Sequence, residues 1–226
     1  MKNIFTHLFK TRLPSPTKFA VAASSLALLA FAPQADATAY VSTGSGAWNT
    51  AIWSPADTPG AGDSAEIAAG HTISSVASLN IGLLIIDATG VFNIGNSMTA
   101  GTITNNGTLH VGTGVSARTL SISTNLVNNA LINGDTGQQN LIQFNGGGTS
   151  LWLGSGDITA GKIGVSVASG TTLDISGLTT TLTFKTTGTF SSTISGTLIA
   201  GTRSSPALTP LTHSTWLPAA RWSVPT

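Results

Sequence analysis

Between Gly90 and Gly177 the chain repeats a short pattern. Each copy has a Gly, Asn or Thr, a few residues alternating between apolar and polar, and a closing Gly. The copies are Gly90-Val91-Phe92-Asn93-Ile94-Gly95, Gly107-Thr108-Leu109-His110-Val111-Gly112, Asn129-Ala130-Leu131-Ile132-Asn133-Gly134, Thr149-Ser150-Leu151-Trp152-Leu153-Gly154 and Gly170-Thr171-Thr172-Leu173-Asp174-Ile175-Ser176-Gly177. Their leading apolar residues, Phe92, Leu109, Leu131, Leu151 and Leu173, are 17, 22, 20 and 22 residues apart. Alternation of this kind predicts strands with one buried face. Strand-length units at roughly 20-residue spacing predict coils that cannot bury their apolar face alone and must stack on their neighbours. The expected fold is all-β: a right-handed parallel β-solenoid of about six coils, about 29 Å tall at one strand spacing per coil.

In this frame Phe92 with Ile94, Leu109 with Val111, Leu151 with Leu153, and Leu173 with Ile175 are predicted to point inward. Asn93, His110, Trp152 and Asp174 then point outward. Further strands are expected at Leu83-Leu84-Ile85-Ile86 (as a buried strand), Thr102-Ile103-Thr104 and Thr119-Leu120-Ser121-Ile122-Ser123. Asn105-Asn106-Gly107, Asn128-Asn129 and Asn133-Gly134 fall at or beside the corners. There Asn tolerates left-handed backbone, and its amide can bond to its own turn or from coil to coil.

The pattern divides the chain into four parts. Residues 1–37 read as an export signal. Lys2, Lys10, Arg12 and Lys18 form a basic start, an uncharged Ala/Leu-rich run extends from Phe19 to Ala32, and Ala35-Asp36-Ala37 supplies a small-x-small site. Cleavage is expected after Ala37. The apolar run is shorter than the about 20 residues needed for a membrane span. Residues 38–79 read as an N-terminal cap, with Trp48, Trp53, the turn Pro59-Gly60-Ala61-Gly62-Asp63, and short strands at Ala65-Glu66-Ile67 and His71-Thr72-Ile73. Two large aromatic side chains suit the closing of an open solenoid end; aromatic platforms for a sugar are the alternative. Residues 80–200 are the solenoid repeats. Residues 201–226 form an irregular tail carrying Pro206, Pro210, Pro218 and Pro225. Proline is excluded from a central ladder, so no further coil is expected there. A C-terminal cap and a frameshift in a longer repeat gene are both consistent with this change.

Composition narrows the function. Only 8% of residues are charged, against about a quarter in an average domain. The Lys and Glu that solvate helix faces are therefore scarce. Beyond residue 37 the basic residues are five (Arg118, Lys162, Lys185, Arg203, Arg221). The acidic ones are seven (Asp57, Asp63, Glu66, Asp87, Asp135, Asp157, Asp174), a net charge of −2. No Lys/Arg cluster is present to displace counterions, so nucleic acid is not an expected partner. With no cysteine, disulfides and thiolate-bound metals are excluded.

Candidate chemistry is sparse. His7, His71, His110 and His213 show no metal-ligand spacing. Asp57, Asp63 and Glu66 are the one acidic group that could attract a cofactor, calcium; Asp63 in a turn also reads as a local hydrogen-bond acceptor. Enzymes that degrade polysaccharide need clustered carboxylates. Here Asp135, Asp157, Lys162, Asp174 and Lys185 are scattered, and Asp135 with Asp157, 22 residues apart, is the single pairing of interest. Gly44-Ser45-Gly46 lacks the setting of a nucleophile elbow. Thr102-x-Thr104 and Ser121-x-Ser123 suggest a hydroxyl array of the kind that binds ice, but they are only two pairs. No catalytic, cofactor or metal residue is assigned.

The run Trp48…Trp53…Pro59-Gly60-x-Gly62-Asp63-x-Ala65-x-Ile67-x-x-Gly70-His71-Thr72-Ile73 resembles the start of many bacterial surface β-solenoids. Thr104-Asn105-Asn106-Gly107-Thr108-Leu109 and its kin are similar to repeats of autotransporter passengers and adhesins. The likeness covers about residues 40–200 and is architectural. It implies an exported, non-catalytic, adhesin-like protein, secreted or held at the cell surface or outer membrane. The partner it implies is a polysaccharide or another surface protein. Asn93, His110 and Trp152 are the candidate binding residues on its lateral faces. The membrane barrel, sorting helix and terminal aromatic residue of such proteins are not seen after the repeats, so a truncated passenger is part of this expectation. The alternative is a secreted β-helix polysaccharide lyase or hydrolase.

Overall fold

The computed structural model describes residues 37–50, 52–113, 116–134, 140–159, 163–180, 182 and 192–201, together with the backbone of 221–223. The segment read as an export signal and most of the tail lie outside the described residues. In chain order the first strands are β1 (Ala39–Ser42), β2 (Gly46–Ala47), β3 (Trp53–Ser54), β4 (Ser64–Ile67), β5 (Thr72–Ser75), β6 (Leu79–Ile86) and β7 (Val91–Ile94). Next come β8 (Met98–Asn105), β9 (Thr108–Val111), β10 (Arg118–Asn128), β11 (Leu131–Gly134), β12 (Asn140–Phe144) and β13 (Thr149–Leu153). The last are β14 (Asp157–Ile158), β15 (Ile163–Val167), β16 (Thr172–Asp174), β17 (Thr193–Ile194), β18 (Thr197–Ile199) and β19 (Arg221–Ser223). No helix occurs among the described residues.

These strands stack into a parallel β-solenoid of about six turns, with three ladders. The first joins the leading halves of β6, β8 and β10 to β12, β15 and β17. The second runs through β1, β4, the trailing halves of β6, β8 and β10, then β13, β16, β18 and β19. The third is β2, β5, β7, β9, β11 and β14. At the N-terminal end the arrangement is mixed, because β3 pairs antiparallel with β1.

Parallel register places like residues above one another. Ile81, Ala100, Ile122, Phe144, Val167 and Ile194 form the inner column of the first ladder. Ala65, Leu84, Ile103, Leu126 and Trp152 form that of the second. Ile73, Phe92, Leu109, Ile132 and Ile158 form that of the third. Most of these are fully buried. Each large one contributes about 1.5–3 kcal/mol from apolar burial, gained only when the next coil is present. The corner between first and second ladders is bare backbone in the early coils. A Cβ on Gly101 would strike the Gly82 carbonyl of the coil below. In β10 the corner widens to Ser123-Thr124, where the register shifts between Ile122 and Asn125.

The cap aromatics lie inside the N-terminal end. Trp48 and Trp53 are 1% and 2% exposed, with ring centroids 4.8 Å apart and planes at 61°. Trp48 also meets Phe92 at 5.5 Å. The Trp53 indole donates to the Trp48 carbonyl at 2.8 Å, and that of Trp48 to the Pro59 carbonyl at 3.2 Å. Buried this way, neither ring offers a face to a sugar. The ladder also runs through this region, since β4 pairs with β6 and β5 with β7.

Several register expectations change. The units at Gly90, Gly107 and Asn129 stack together as β7, β9 and β11. Those at Thr149 and Gly170 stack instead in the second ladder, as β13 and β16. β13 is inverted relative to the expected frame. Trp152 is buried at 1%, beside Phe144 at 5.6 Å, while Leu151 and Leu153 are half-buried on the outer side. Leu131 likewise faces out and Ile132 faces in. Both frames of these strands carry apolar residues, so the pattern alone is degenerate. The rung below decides it: Leu126 lies under Trp152 and Leu109 under Ile132. Of the run Leu83-Leu84-Ile85-Ile86 only Leu84 and Ile86 are fully buried, while Leu83 and Ile85 are half-buried. Arg221–Ser223 pairs in parallel with β18, so the tail does contribute one ladder strand.

Replacing Trp152 with Ala is expected to cost about 3–5 kcal/mol in urea unfolding. Leu151→Ala or Leu153→Ala should each cost about 1 kcal/mol or less. The opposite ranking would mean that β13 has the other face inward.

Candidate functional site

Outward positions stack as strictly as inward ones, so each ladder presents columns of side chains to solvent. On the third ladder Ser74, Asn93, His110 and Asn133 are in register. The Asn93 amide donates to Ser74 Oγ at 3.3 Å. Asn133 Oδ1 accepts from the Gly134 amide at 2.9 Å, which leaves its Nδ2 against His110 Nε2 at 3.4 Å. An amide nitrogen only donates, so Nε2 is the acceptor in this contact. His110 Nδ1 is shielded and has no partner among the described residues. Asn93 and His110, both expected on a lateral face, are therefore adjacent in one half-buried polar column. Trp152, the third candidate, is in the core of another ladder and cannot join them.

A longer column lies on the first ladder. Asn80, Thr99, Ser121, Gln143, Ser166 and Thr193 are in register through six consecutive rungs, all outward and all uncharged. Beside its first rungs an open groove of about 220 Å³ is lined by Ser78, Ser97, Thr99, Thr119 and Ser121 along Leu79. Sequence reading missed this column because its members sit in strands of unlike sequence at unequal spacing. The available signal was one uncharged polar residue between two apolar ones, which Asn80, Thr99, Ser121, Gln143 and Ser166 show and Thr193, preceded by Ser192, does not. The expected hydroxyl pairs do not merge into an array: Thr102 stacks on Leu83 and Asn125 in the second ladder, whereas Ser121 stacks on Thr99 and Gln143 in the first.

The acidic residues have structural work. Asp63 accepts the Thr38 amide on Oδ1 at 2.9 Å and the Gly60 amide on Oδ2 at 2.8 Å. Asp57 accepts the Thr58 amide at 2.7 Å. Among the described residues no three His, Asp or Glu side chains converge as metal ligands. Asp157 pairs with Leu131, and Asp135 lies outside the described residues. His71 bonds through Nδ1 to Ser42 Oγ at 2.8 Å, and this oxygen also accepts the Ala68 amide at 2.9 Å.

The corner asparagines bond from coil to coil, as expected. Asn105 and Asn128 are buried at 0% and 1%, joined Nδ2 to Oδ1 at 2.8 Å. Asn105 also donates to the Leu131 carbonyl at 3.0 Å and accepts the Gly107 amide at 3.2 Å. Outside them Asn129 donates to Asn106 at 2.8 Å. These amides satisfy buried main-chain groups at the turns and leave little capacity for a ligand.

Comparison of the chain with protein-family models, with curated proteins and with solved structures finds no match in any of the three.

Asn105→Ala is expected to destabilise by about 1–3 kcal/mol, because the buried partners of its amide lose their bonds. Asn93→Ala and His110→Ala should each stay within about 0.5 kcal/mol. Chemical denaturation of the three variants checks the division between structural and surface amides.

Proposed function

We propose that the protein is an exported, non-catalytic surface solenoid of the adhesion type that binds through its lateral faces. The observation that carries this reading is the six-rung column Asn80, Thr99, Ser121, Gln143, Ser166 and Thr193. Its rungs repeat at about 4.8 Å and present hydroxyl and amide groups with no formal charge. A partner matching it is extended, uncharged and rich in hydrogen-bonding groups, the chemistry of a neutral polysaccharide. Each contact is weak, and a row of them gains by repetition along the same chain. The column Ser74, Asn93, His110 and Asn133 offers a second polar face of similar chemistry.

The test is retention on insoluble neutral polysaccharides such as cellulose, mannan and starch. Thr99→Lys with Ser166→Lys is expected to lower retention about tenfold or more, since an unpaired charge must be desolvated at the contact. Folding stability should remain within about 0.5 kcal/mol per site. Unchanged retention would contradict binding by this face. Release of reducing ends during incubation would contradict the non-catalytic reading and favour a lyase or hydrolase.

A further inference from the structure

One contact at the N-terminal end involves the residue that follows the expected cleavage site. The inference rests on the export signal read in residues 1–37, with cleavage between Ala37 and Thr38. The nitrogen of Thr38 lies 2.9 Å from Oδ1 of Asp63. Its carbonyl accepts the Ser64 amide at 2.9 Å, so Thr38 is held on both sides by adjacent residues of the next coil. The other Asp63 oxygen accepts Gly60, and the Pro59 carbonyl of the same turn accepts the Trp48 indole. Carboxylate, turn and cap aromatic thus form one connected unit beside β1.

In the precursor the Thr38 nitrogen is a peptide amide with a single N–H. Hydrolysis by a signal peptidase adds water across the Ala37–Thr38 bond. Ala37 gains the carboxylate, and Thr38 gains an amine that takes up a proton at neutral pH. A full positive charge then appears at hydrogen-bonding distance from an existing carboxylate, and such charge-assisted bonds are about twice as strong as neutral ones. We propose that the mature N-terminus at Thr38 is the ion-pair partner of Asp63, so that removal of the signal fastens the first parallel rung onto the turn of the next coil. A start one residue earlier or later would place the charge elsewhere, and the contact would remain an ordinary amide bond or be lost.

The test uses the full chain, expressed in an exporting bacterial host and recovered outside the cytoplasm. Intact mass and N-terminal sequencing give the first residue. The rate of α-amino acylation at pH 7 is then compared between folded and urea-unfolded protein. Thr38 is expected at the start, with acylation about tenfold slower in the folded protein. That slowing follows because the carboxylate beside the amine favours its protonated form, which does not react. In Asp63→Asn the slowing should disappear, and in the wild type 1 M NaCl should reduce it, which keeps the test open if that variant does not fold. A mature start other than Thr38, or equal rates in folded and unfolded protein, would overturn the proposal. So would a slowing that salt and Asp63→Asn leave intact, since that is steric shielding. Export without any shortened species would refute the signal reading itself, and the ion pair with it.

Discussion

The main-chain ladder between successive coils constrains everything else in this protein. Parallel strands about 4.8 Å apart must set each residue directly over its counterpart in the coil below. The interior therefore resolves into columns, such as Ile81, Ala100, Ile122, Phe144 and Val167, and each coil depends on its neighbours for burial. The same constraint brings bare backbone together at the Gly82 and Gly101 corner. It also gives the low charge a physical reason. Like charges in register along a ladder would repel at one strand spacing, whereas Asn, Ser and Thr can bond to their own kind. Asn105 under Asn128 and Asn106 under Asn129 show that solution inside and outside the same corner.

Periodicity made the architecture legible where only one frame of a strand was apolar. Phe92 and Ile94, then Leu109 and Val111, point inward as expected, and the strands and corners between them fall where the alternation places them. The reading weakened where both frames were apolar. Ser150-Leu151-Trp152-Leu153 offers two leucines on one side and a tryptophan on the other. The tryptophan is inside, over Leu126 and against Phe144, with more apolar area to bury than either leucine. That choice depends on a strand some 25 residues earlier, which local alternation does not encode. Spacing misled for a related reason. Leu131 and Leu151 are 20 residues apart, close to a coil length, yet they belong to different ladders because β12 intervenes.

The surface was legible only in part. Asn93 and His110 stand side by side on the third ladder, as a one-residue offset from the core positions predicts. Trp152 left the surface together with the inversion of β13. The first-ladder column from Asn80 to Thr193 emerges only once the strands are stacked, because its residues share no motif. Asp63 shows the converse. As one of three nearby carboxylates it invited a cation, and in the fold both its oxygens hold main-chain amides at the N-terminal end. Stacking thus converts short, unremarkable polar residues into continuous faces, and it assigns the conspicuous ones to structure.

The most direct measurement of this account is disulfide formation between cysteines introduced on the first face, in a chain that has no cysteine of its own. Ser121→Cys and Gln143→Cys lie on adjacent rungs, about 4.8 Å apart, within the Cα range of a disulfide. Thr99→Cys and Gln143→Cys are two rungs apart, about 9.6 Å, which is beyond that range. The stacked-coil account requires mild oxidation to cross-link the first pair within one chain and leave the second pair free. Efficient cross-linking of the second pair, or none in the first, would contradict the register on which the core, the corners and the polar lateral columns all rest.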